Sequence, residues 1–118
     1  IRDRSNLMAF TAIDDNDTVG FFTMRRPNES FDELRFGFVI IDPDRRGQGY
    51  GKKMLQLGLV YAKDIFGAKK VSLGVFENNE LAYYCYKAAG FQDVLLDEVE
   101  KYTVLGEEWR CLELEIQL

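Results

Sequence analysis

The residue types best suited to chemistry in this 118-residue chain lie in one stretch, between Asp42 and Lys53. Three alternating glycines, Gly47, Gly49 and Gly51, follow an apolar segment there and precede an amphipathic one. The N–H groups that begin a helix have no partner within it, and residues without side chains let an anion approach the backbone. Basic side chains flank the glycines, although the chain as a whole is acidic. This pattern predicts a phosphate-binding turn at the start of a helix.

Two common phosphate-binding motifs do not fit this turn. A P-loop requires a glycine six residues before its lysine and Ser or Thr after it, but around Lys52 these positions hold Arg46 and Lys53. The dinucleotide-binding fingerprint requires a further glycine three residues after Gly49, where Lys52 stands. Nucleotide binding is therefore disfavoured. A glycine-rich turn with a solvated basic cluster stays open as the alternative to a phosphate site.

The composition excludes several classes of function, since the chain has 15 Lys and Arg against 20 Asp and Glu, a formal net charge of −5, and no histidine. Without histidine there is no Ser-His-Asp or Cys-His catalysis and no His-ligated zinc, and we expect no metal site. The acidic balance disfavours a nucleic-acid partner, and no apolar run is long enough to cross a membrane. Cys85 and Cys111 are too few for a disulfide framework and indicate a reducing, cytoplasmic setting.

The elements that must position the turn form one mixed α/β domain over residues 1–118. Runs of β-branched and aromatic residues predict strands, and apolar residues at three- and four-residue spacing predict helices. The predicted strands cover 7–13, 19–25, 34–41, 71–76, 91–99 and 108–116, and the predicted helices cover 51–66 and 79–89. The last two predicted strands form a closing hairpin around the turn at Leu105-Gly106-Glu107. The order is therefore ββ-β-α-β-α-β-β, in which the strand–helix–strand crossover requires a parallel pair between antiparallel hairpins.

Two sequence blocks match a known family pattern together. The first, Arg46 to Gly51, has the form Arg-x-x-Gly-x-Gly, with Pro43 three residues earlier. The second runs from Leu73 to Phe91 and holds the pattern's valine, asparagine, alanine, tyrosine and terminal Gly-Phe at Val75, Asn79, Ala82, Tyr86, Gly90 and Phe91. The chain thereby resembles the GNAT superfamily of acetyl-CoA-dependent N-acetyltransferases.

The resemblance implies a mostly antiparallel sheet with one splayed parallel strand pair, and direct transfer of an acetyl group from acetyl-CoA to a primary amine. Backbone N–H groups of the turn would hold the pyrophosphate, and the end of the third strand would pair with the pantetheine arm and polarise the thioester carbonyl. The side chain of Asn79 would contact the cofactor, with an ordinary helix N-cap as its structural alternative. The cofactor residues implied in this way are Val39, Ile40, Ile41, Arg46, Gly47, Gln48, Gly49, Tyr50, Gly51, Lys52 and Asn79.

The resemblance also implies catalytic roles. Tyr86 would protonate the departing thiolate as a general acid, and a rim tyrosine that packs the core is its structural alternative. Some relatives carry a glutamate base on the strand before Val75, but this chain has Gly74 there. Glu33 or Glu77 is the nearest candidate base. Both are also interpretable as surface carboxylates, with a water relay as a further route for the proton.

The family pattern is incomplete at its N-terminal side. The family's usual first strand and helices form a wall of the acceptor site, and no counterpart precedes the strand that begins at Leu7. These elements lie in a missing N-terminal segment, are supplied by another subunit, for example in a homodimer, or are absent from a minimal variant. We expect one of the first two, because an edge strand would otherwise stay exposed. A non-catalytic acyl-CoA-binding or regulatory module of the same fold is therefore the alternative to an acetyltransferase that acts on a small-molecule or protein amine.

Overall fold

One sheet of seven strands and two helices make up the part of the chain that the computed structural model describes, residues 7–14, 17–27, 32–42, 44, 49–95 and 100–118. The strands are β1 (Leu7–Asp14), β2 (Asp17–Arg25), β3 (Glu33–Ile41), β4 (Lys70–Phe76), β5 (Gln92–Asp93), β6 (Glu100–Val104) and β7 (Glu107–Gln117). The helices are α1 (Tyr50–Asp64), between β3 and β4, and α2 (Glu80–Ala88), between β4 and β5. The predicted mixed α/β class is confirmed, and the structure adds β6 to the predicted order, since β5 lies within the predicted strand 91–99.

β3 and β4 form a parallel pair within a sheet whose strand order is β1-β2-β3-β4-β7-β5, with β6 also on β7. The other neighbouring strands pair antiparallel. The parallel ladder is short, and it runs from the pair Glu33–Lys70 to the pair Arg35–Ser72. Past this point both strands continue without pairing with each other. The splayed pair in a mostly antiparallel sheet, implied by the family resemblance, is confirmed.

The closing hairpin differs from the predicted one. β6 and β7 are joined by a tight turn in which Leu105 and Gly106 have positive φ values of 51° and 81°. Two successive positive φ values are typical of the two-residue turns that join twisted antiparallel strands. This turn gives β7 its partner in β6, so the prediction that 91–99 form the first hairpin strand is wrong. Gln92 and Asp93 make a short separate pairing with β7, and 96–99 lie outside the described residues.

The core lies on one face of the sheet, where α1 and α2 cover it. Alternate residues of a strand point to the same face, and these positions are apolar in β2, β3, β4 and β7. Their buried side chains, together with those of the helices, are Phe22, Met24, Leu34, Phe36, Val71, Leu73, Val75, Leu114, Met54, Leu55, Ala62 and Tyr86. A row of aromatic rings crosses this layer. Ring centroids lie 5.1 Å apart for Phe10 and Phe22, 5.4 Å for Phe22 and Phe36, and 6.4 Å for Phe36 and Phe91.

Around the parallel ladder of β3 and β4, the opposite face of the sheet is polar. The side chains that alternate with the core residues there line an open pocket of about 660 Å³. They are Glu33 and Arg35 of β3, Lys70 and Ser72 of β4, and Glu113 and Glu115 of β7. In the described part of the chain, both helices pack on the apolar face instead. Neither of these two helices has the length and apolar composition needed to cross a membrane.

Candidate active site

The N-terminus of α1 has no side-chain cap. Its N-cap residue, Gly49, has φ 82° and ψ 6°, a conformation that favours glycine, and its carbonyl accepts a hydrogen bond from the N–H of Lys53 at 3.1 Å. The first turn contains no acidic residue. The N-cap glycine has no side chain that could accept from the N–H groups of Gly51 and Lys52, and the helix dipole favours an anion at this end of α1.

Three elements meet beside this helix start. A Cβ atom on Gly51 would lie 3.2 Å from Cys85 Sγ of α2 and 3.7 Å from Ile41 Cγ1 at the end of β3. The Tyr50 hydroxyl donates a hydrogen bond of 2.6 Å to Asp14 Oδ2 at the end of β1. The structure thus brings together three of the predicted cofactor residues, Ile41, Tyr50 and Gly51. The other residues predicted for the turn, Arg46, Gly47 and Gln48, lie outside the described residues.

Past the parallel ladder, the edge of β3 that faces β4 has no strand partner among the described residues. On its other edge β3 pairs with β2, where Ile41 faces Gly20, and a Cβ atom on Gly20 would lie only 2.9 Å from Ile41 Cδ1. Past Arg35, the edge that faces β4 has no ladder among the described residues. The main-chain groups of Val39, Ile40 and Ile41 lie on this segment, and such an edge can receive an extended ligand as an added strand.

Tyr86 is a buried phenol, 7% exposed, on the side of α2 that packs on the sheet. Its ring packs edge-on against Phe91, with ring centroids 6.1 Å apart. A Schellman motif ends α2 here, because the N–H of Gly90 donates to Lys87 O at 3.0 Å and the N–H of Phe91 donates to Tyr86 O at 3.1 Å. Burial, with a smaller effect of Cys85, raises the pKa of Tyr86 to about 12. The phenol is therefore protonated at neutral pH.

Asn79 is the N-cap of α2. Its Oδ1 accepts a hydrogen bond of 3.4 Å from the N–H of Ala82. This finding agrees with the structural alternative given for Asn79, and it leaves the cofactor role as a prediction. The cap uses the side-chain carbonyl, so a contact with a ligand would come from the Nδ2 amide group, which carries two donors.

The structure does not bring the two candidate bases together. Glu33 lies on the polar face, where its Oε2 accepts a hydrogen bond from Ser72 Oγ at 2.8 Å and its Oε1 lies 3.5 Å from Lys70 Nζ. Glu77 follows β4, and its Oε2 lies 3.1 Å from Arg110 Nη1. Both carboxylates have partners with which an incoming amine or water would compete. Within the described ranges, no three acidic or cysteine side chains are grouped to hold a metal ion.

A polar cluster at the last parallel pair was missed by the sequence analysis. Arg35 Nη1 donates to Glu113 Oε2 at 2.7 Å, its Nη2 donates to Glu113 Oε1 at 3.0 Å, and its Nη1 also donates to Ser72 Oγ at 3.2 Å. The hydrogen bonds to Glu113 raise the pKa of Arg35 against the opposing effect of burial. The alternating polar residues at the start of β3 and β4 and near the end of β7 were the signal that could have found this face.

Known proteins share parts of this sequence. The acetyltransferase (GNAT) family model matches residues 1–91. A spermine/spermidine N(1)-acetyltransferase from Bacillus subtilis is 38% identical over 52 residues, which are 44% of this chain and 34% of that protein. A UPF0039 protein from Schizosaccharomyces pombe is 36% identical over 59 residues, 50% of this chain and 38% of that protein. The matched segments therefore span between a third and two fifths of these relatives.

Solved structures share the fold. A spermidine N-acetyltransferase from Vibrio cholerae, in complex with CoA and spermine, superposes with a TM-score of 0.83 at 21% identity, covering 95% of this chain and 66% of that one. A chimera of the Vibrio cholerae enzyme and hSSAT gives a TM-score of 0.84 at 22% identity, covering 97% of this chain and 68% of that one. At these identities the likeness establishes a common architecture.

Proposed function

Because this chain belongs to the GNAT acetyltransferase family, we propose that it transfers an acetyl group from acetyl-CoA directly to a primary amine of a small molecule or protein. The observation that carries this proposal is the divergence of β3 and β4 beside the N-terminus of α1, which begins at a glycine N-cap. It offers a strand edge to an extended arm and a helix start to a diphosphate. The continuous sheet supports residues 1–118 as a single acetyltransferase domain.

Acetyl-CoA would bind along the splayed half of β3. The main chain from Val39 to Ile41 would pair with the pantetheine arm, and an N–H group there would polarise the thioester carbonyl. The turn from Arg46 to Lys52 would hold the pyrophosphate through its N–H groups, with Lys52 adding positive charge. The Nδ2 group of Asn79, which the helix cap does not use, would supply a further hydrogen bond.

Tyr86 would act as the general acid. The sulfur departs as a thiolate, and a protonated phenol within hydrogen-bond reach can donate to it. Because burial raises the pKa of Tyr86 to about 12, this phenol keeps its proton until the thiolate forms, and it is then a hydrogen-bond and proton donor to the sulfur. The proton released by the attacking amine would pass to Glu33, Glu77 or water.

The acceptor class is a primary amine, and polyamines are the first candidates. The Bacillus subtilis relative is a spermine/spermidine N(1)-acetyltransferase by name, and the Vibrio cholerae structure holds spermine. The formal net charge of −5 favours the approach of a polycation at neutral pH. We therefore place spermidine and spermine ahead of neutral amino compounds as substrates.

A thiol-release assay with acetyl-CoA tests this proposal. The acceptor panel contains spermidine, spermine, simple monoamines and peptides with free amino groups, and calorimetry measures acetyl-CoA binding in parallel. Release of thiol that depends on an amine is the expected result. Binding of acetyl-CoA without turnover on any acceptor would support the non-catalytic acyl-CoA-binding module instead. Absence of binding would contradict both functions.

A further inference from the structure

Four side chains form a continuous hydrogen-bonded group where β3 and β4 separate. This group, called the sheet clamp below, consists of Glu33, Arg35, Ser72 and Glu113. The guanidinium of Arg35 crosses β4 to reach Glu113 of β7 at 2.7 and 3.0 Å. Ser72, 2% exposed, accepts a hydrogen bond from Arg35 and donates one to Glu33. The clamp therefore ties three adjacent strands together at the last pair of the parallel ladder.

Gly74 makes room for the clamp. It pairs with Glu113 across β4 and β7. A Cβ atom on Gly74 would lie 3.1 Å from Arg35 Nη2 and 3.1 Å from Cys111 Sγ, closer than ordinary van der Waals contact. Any side chain at this position would press on the guanidinium. Glycine at this position thus leaves room for Arg35 to reach a carboxylate two strands away.

The Arg35–Glu113 pair differs from a surface ion pair. Its side chains are 26% and 24% exposed, against 57% and 62% for Lys101 and Glu108 at the other end of β7. Water screens exposed pairs, which constrain little, whereas a two-pronged arginine–carboxylate pair fixes both distance and direction. The clamp can therefore restrain how far its strands move apart.

We propose that the Arg35–Glu113 ion pair is a positioning element that sets the angle at which β3 and β4 diverge, and thereby the width of the cleft for the pantetheine arm. This inference rests on the proposed function, because it gives the clamp a role in the same cleft. Arg35 acts through the main chain of β3, on which Ile41 lies farther along. Without the pair, the strand edge shifts relative to the start of α1, and a ligand that must fit both is held less well.

Two ligands separate positioning from general stability. Acetyl-CoA needs both the strand edge and the helix start, whereas adenosine 3′,5′-bisphosphate lacks the pantetheine arm and needs no strand edge. In Glu113→Gln we expect the Kd for acetyl-CoA, measured by calorimetry, to rise about tenfold or more, because small misplacements of a bound group are costly. The Kd for the bisphosphate should stay unchanged. Glu108→Gln, which breaks the exposed pair of the same strand, is the matched control and should change neither.

Arg35→Lys, which keeps the charge and loses the two-pronged geometry, replaces Glu113→Gln if that variant does not fold. Equal weakening of both ligands would indicate a merely structural role and overturn the inference. Unchanged acetyl-CoA affinity in a folded variant would also overturn it. A wild-type chain that does not bind acetyl-CoA would overturn the proposed function, and the positioning role with it.

Discussion

Phe91 holds Tyr86 twice, through its ring and through its main chain. The two rings pack edge-on with centroids 6.1 Å apart, and the N–H of Phe91 donates to the carbonyl of Tyr86 at 3.1 Å. Phe91 in turn packs on Phe36, whose ring centroid lies 6.4 Å away. The helix ending that Phe91 completes therefore connects the phenol to the aromatic row of the core and fixes its direction.

This helix ending predicts different effects for two glycines that both have positive φ. Gly90 has φ 108°, and a Cβ atom there would lie 3.0 Å from Ile116 Cδ1. In Gly90→Ala we expect the free energy of unfolding in urea to fall by about 1–2 kcal/mol from the backbone alone, and kcat to fall because Tyr86 moves. Gly67→Ala, at φ 69° with nothing within 4 Å, should lose similar stability and keep its kcat. Equal kcat in both variants would contradict the idea that the helix ending at Gly90 positions Tyr86.

Removal of the phenolic hydroxyl should separate chemistry from binding. In Tyr86→Phe we expect kcat to fall by about 10²- to 10⁴-fold, the usual contribution of a general acid, with little change in the Kd for acetyl-CoA. The control is Tyr84→Phe on the same helix, since Tyr84 is 67% exposed. A Tyr86→Phe variant with wild-type turnover would remove Tyr86 from the mechanism.

The raised pKa of Tyr86 predicts a dependence of stability on alkaline pH. In the folded chain this pKa is about 12, against an ordinary value of 10.0. The folded state therefore keeps a proton that the unfolded state loses, so the stabilisation is complete below pH 10 and disappears as the pH rises toward 12. Up to about 2–3 kcal/mol is involved at 1.36 kcal/mol per pKa unit. The free energy of unfolding, measured in urea at several alkaline pH values, should fall less steeply with pH in Tyr86→Phe than in wild type. The same dependence on pH in both proteins would refute this expectation.

Gly49 allows a test of the helix start as an anion site. Its φ is 82°, and a Cβ atom there would meet nothing within 4 Å, so the effect of Gly49→Ala comes from the backbone. We expect a loss of stability of about 1–2 kcal/mol together with weaker binding of acetyl-CoA, because the first N–H groups of α1 turn away. Gly106→Ala, at φ 81° and equally open, should cost similar stability with unchanged affinity. The same affinity in both variants would argue against a phosphate at this turn.

Asn79 combines a cap with a predicted ligand contact, and two substitutions separate them. Asn79→Ser keeps an oxygen for the cap and loses the Nδ2 group, so we expect near-normal thermal stability and weaker acetyl-CoA binding. Asn79→Ala loses both, with a cost of about 1 kcal/mol in unfolding free energy. Normal acetyl-CoA affinity in Asn79→Ser would show that Asn79 only caps the helix.

Much of the fold was predictable because its periodicities are strong. The apolar spacing around Met54 and Ala62 gave α1, and the runs of β-branched and aromatic residues that begin at Leu34 and Val71 gave the central strands. The closing hairpin was not predictable in the same way. The turn at Leu105 was located correctly. Side-chain alternation does not show which segment pairs with β7, and in the structure that partner is β6.

The candidate site shows the same division. Asn79 and Tyr86 belong to local motifs, so their positions on α2 followed from the sequence. Arg35 and Glu113 are 78 residues apart, and their contact depends on β7 lying next to β4. Strand order across a sheet is a property of the whole chain, which no local pattern contains.

The three-pair ladder between β3 and β4 divides the sheet into two blocks. One block contains β1 to β3, and the other contains β4 to β7. Within the second block, β4 and β7 alone share seven residue pairs. Local opening starts where few hydrogen bonds resist it, so we expect the two blocks to move apart most easily past the sheet clamp, where β3 and β4 share no ladder among the described residues. A ligand bound along that seam would contact both blocks. We therefore expect binding to reduce the opening of the sheet and release of the ligand to restore it.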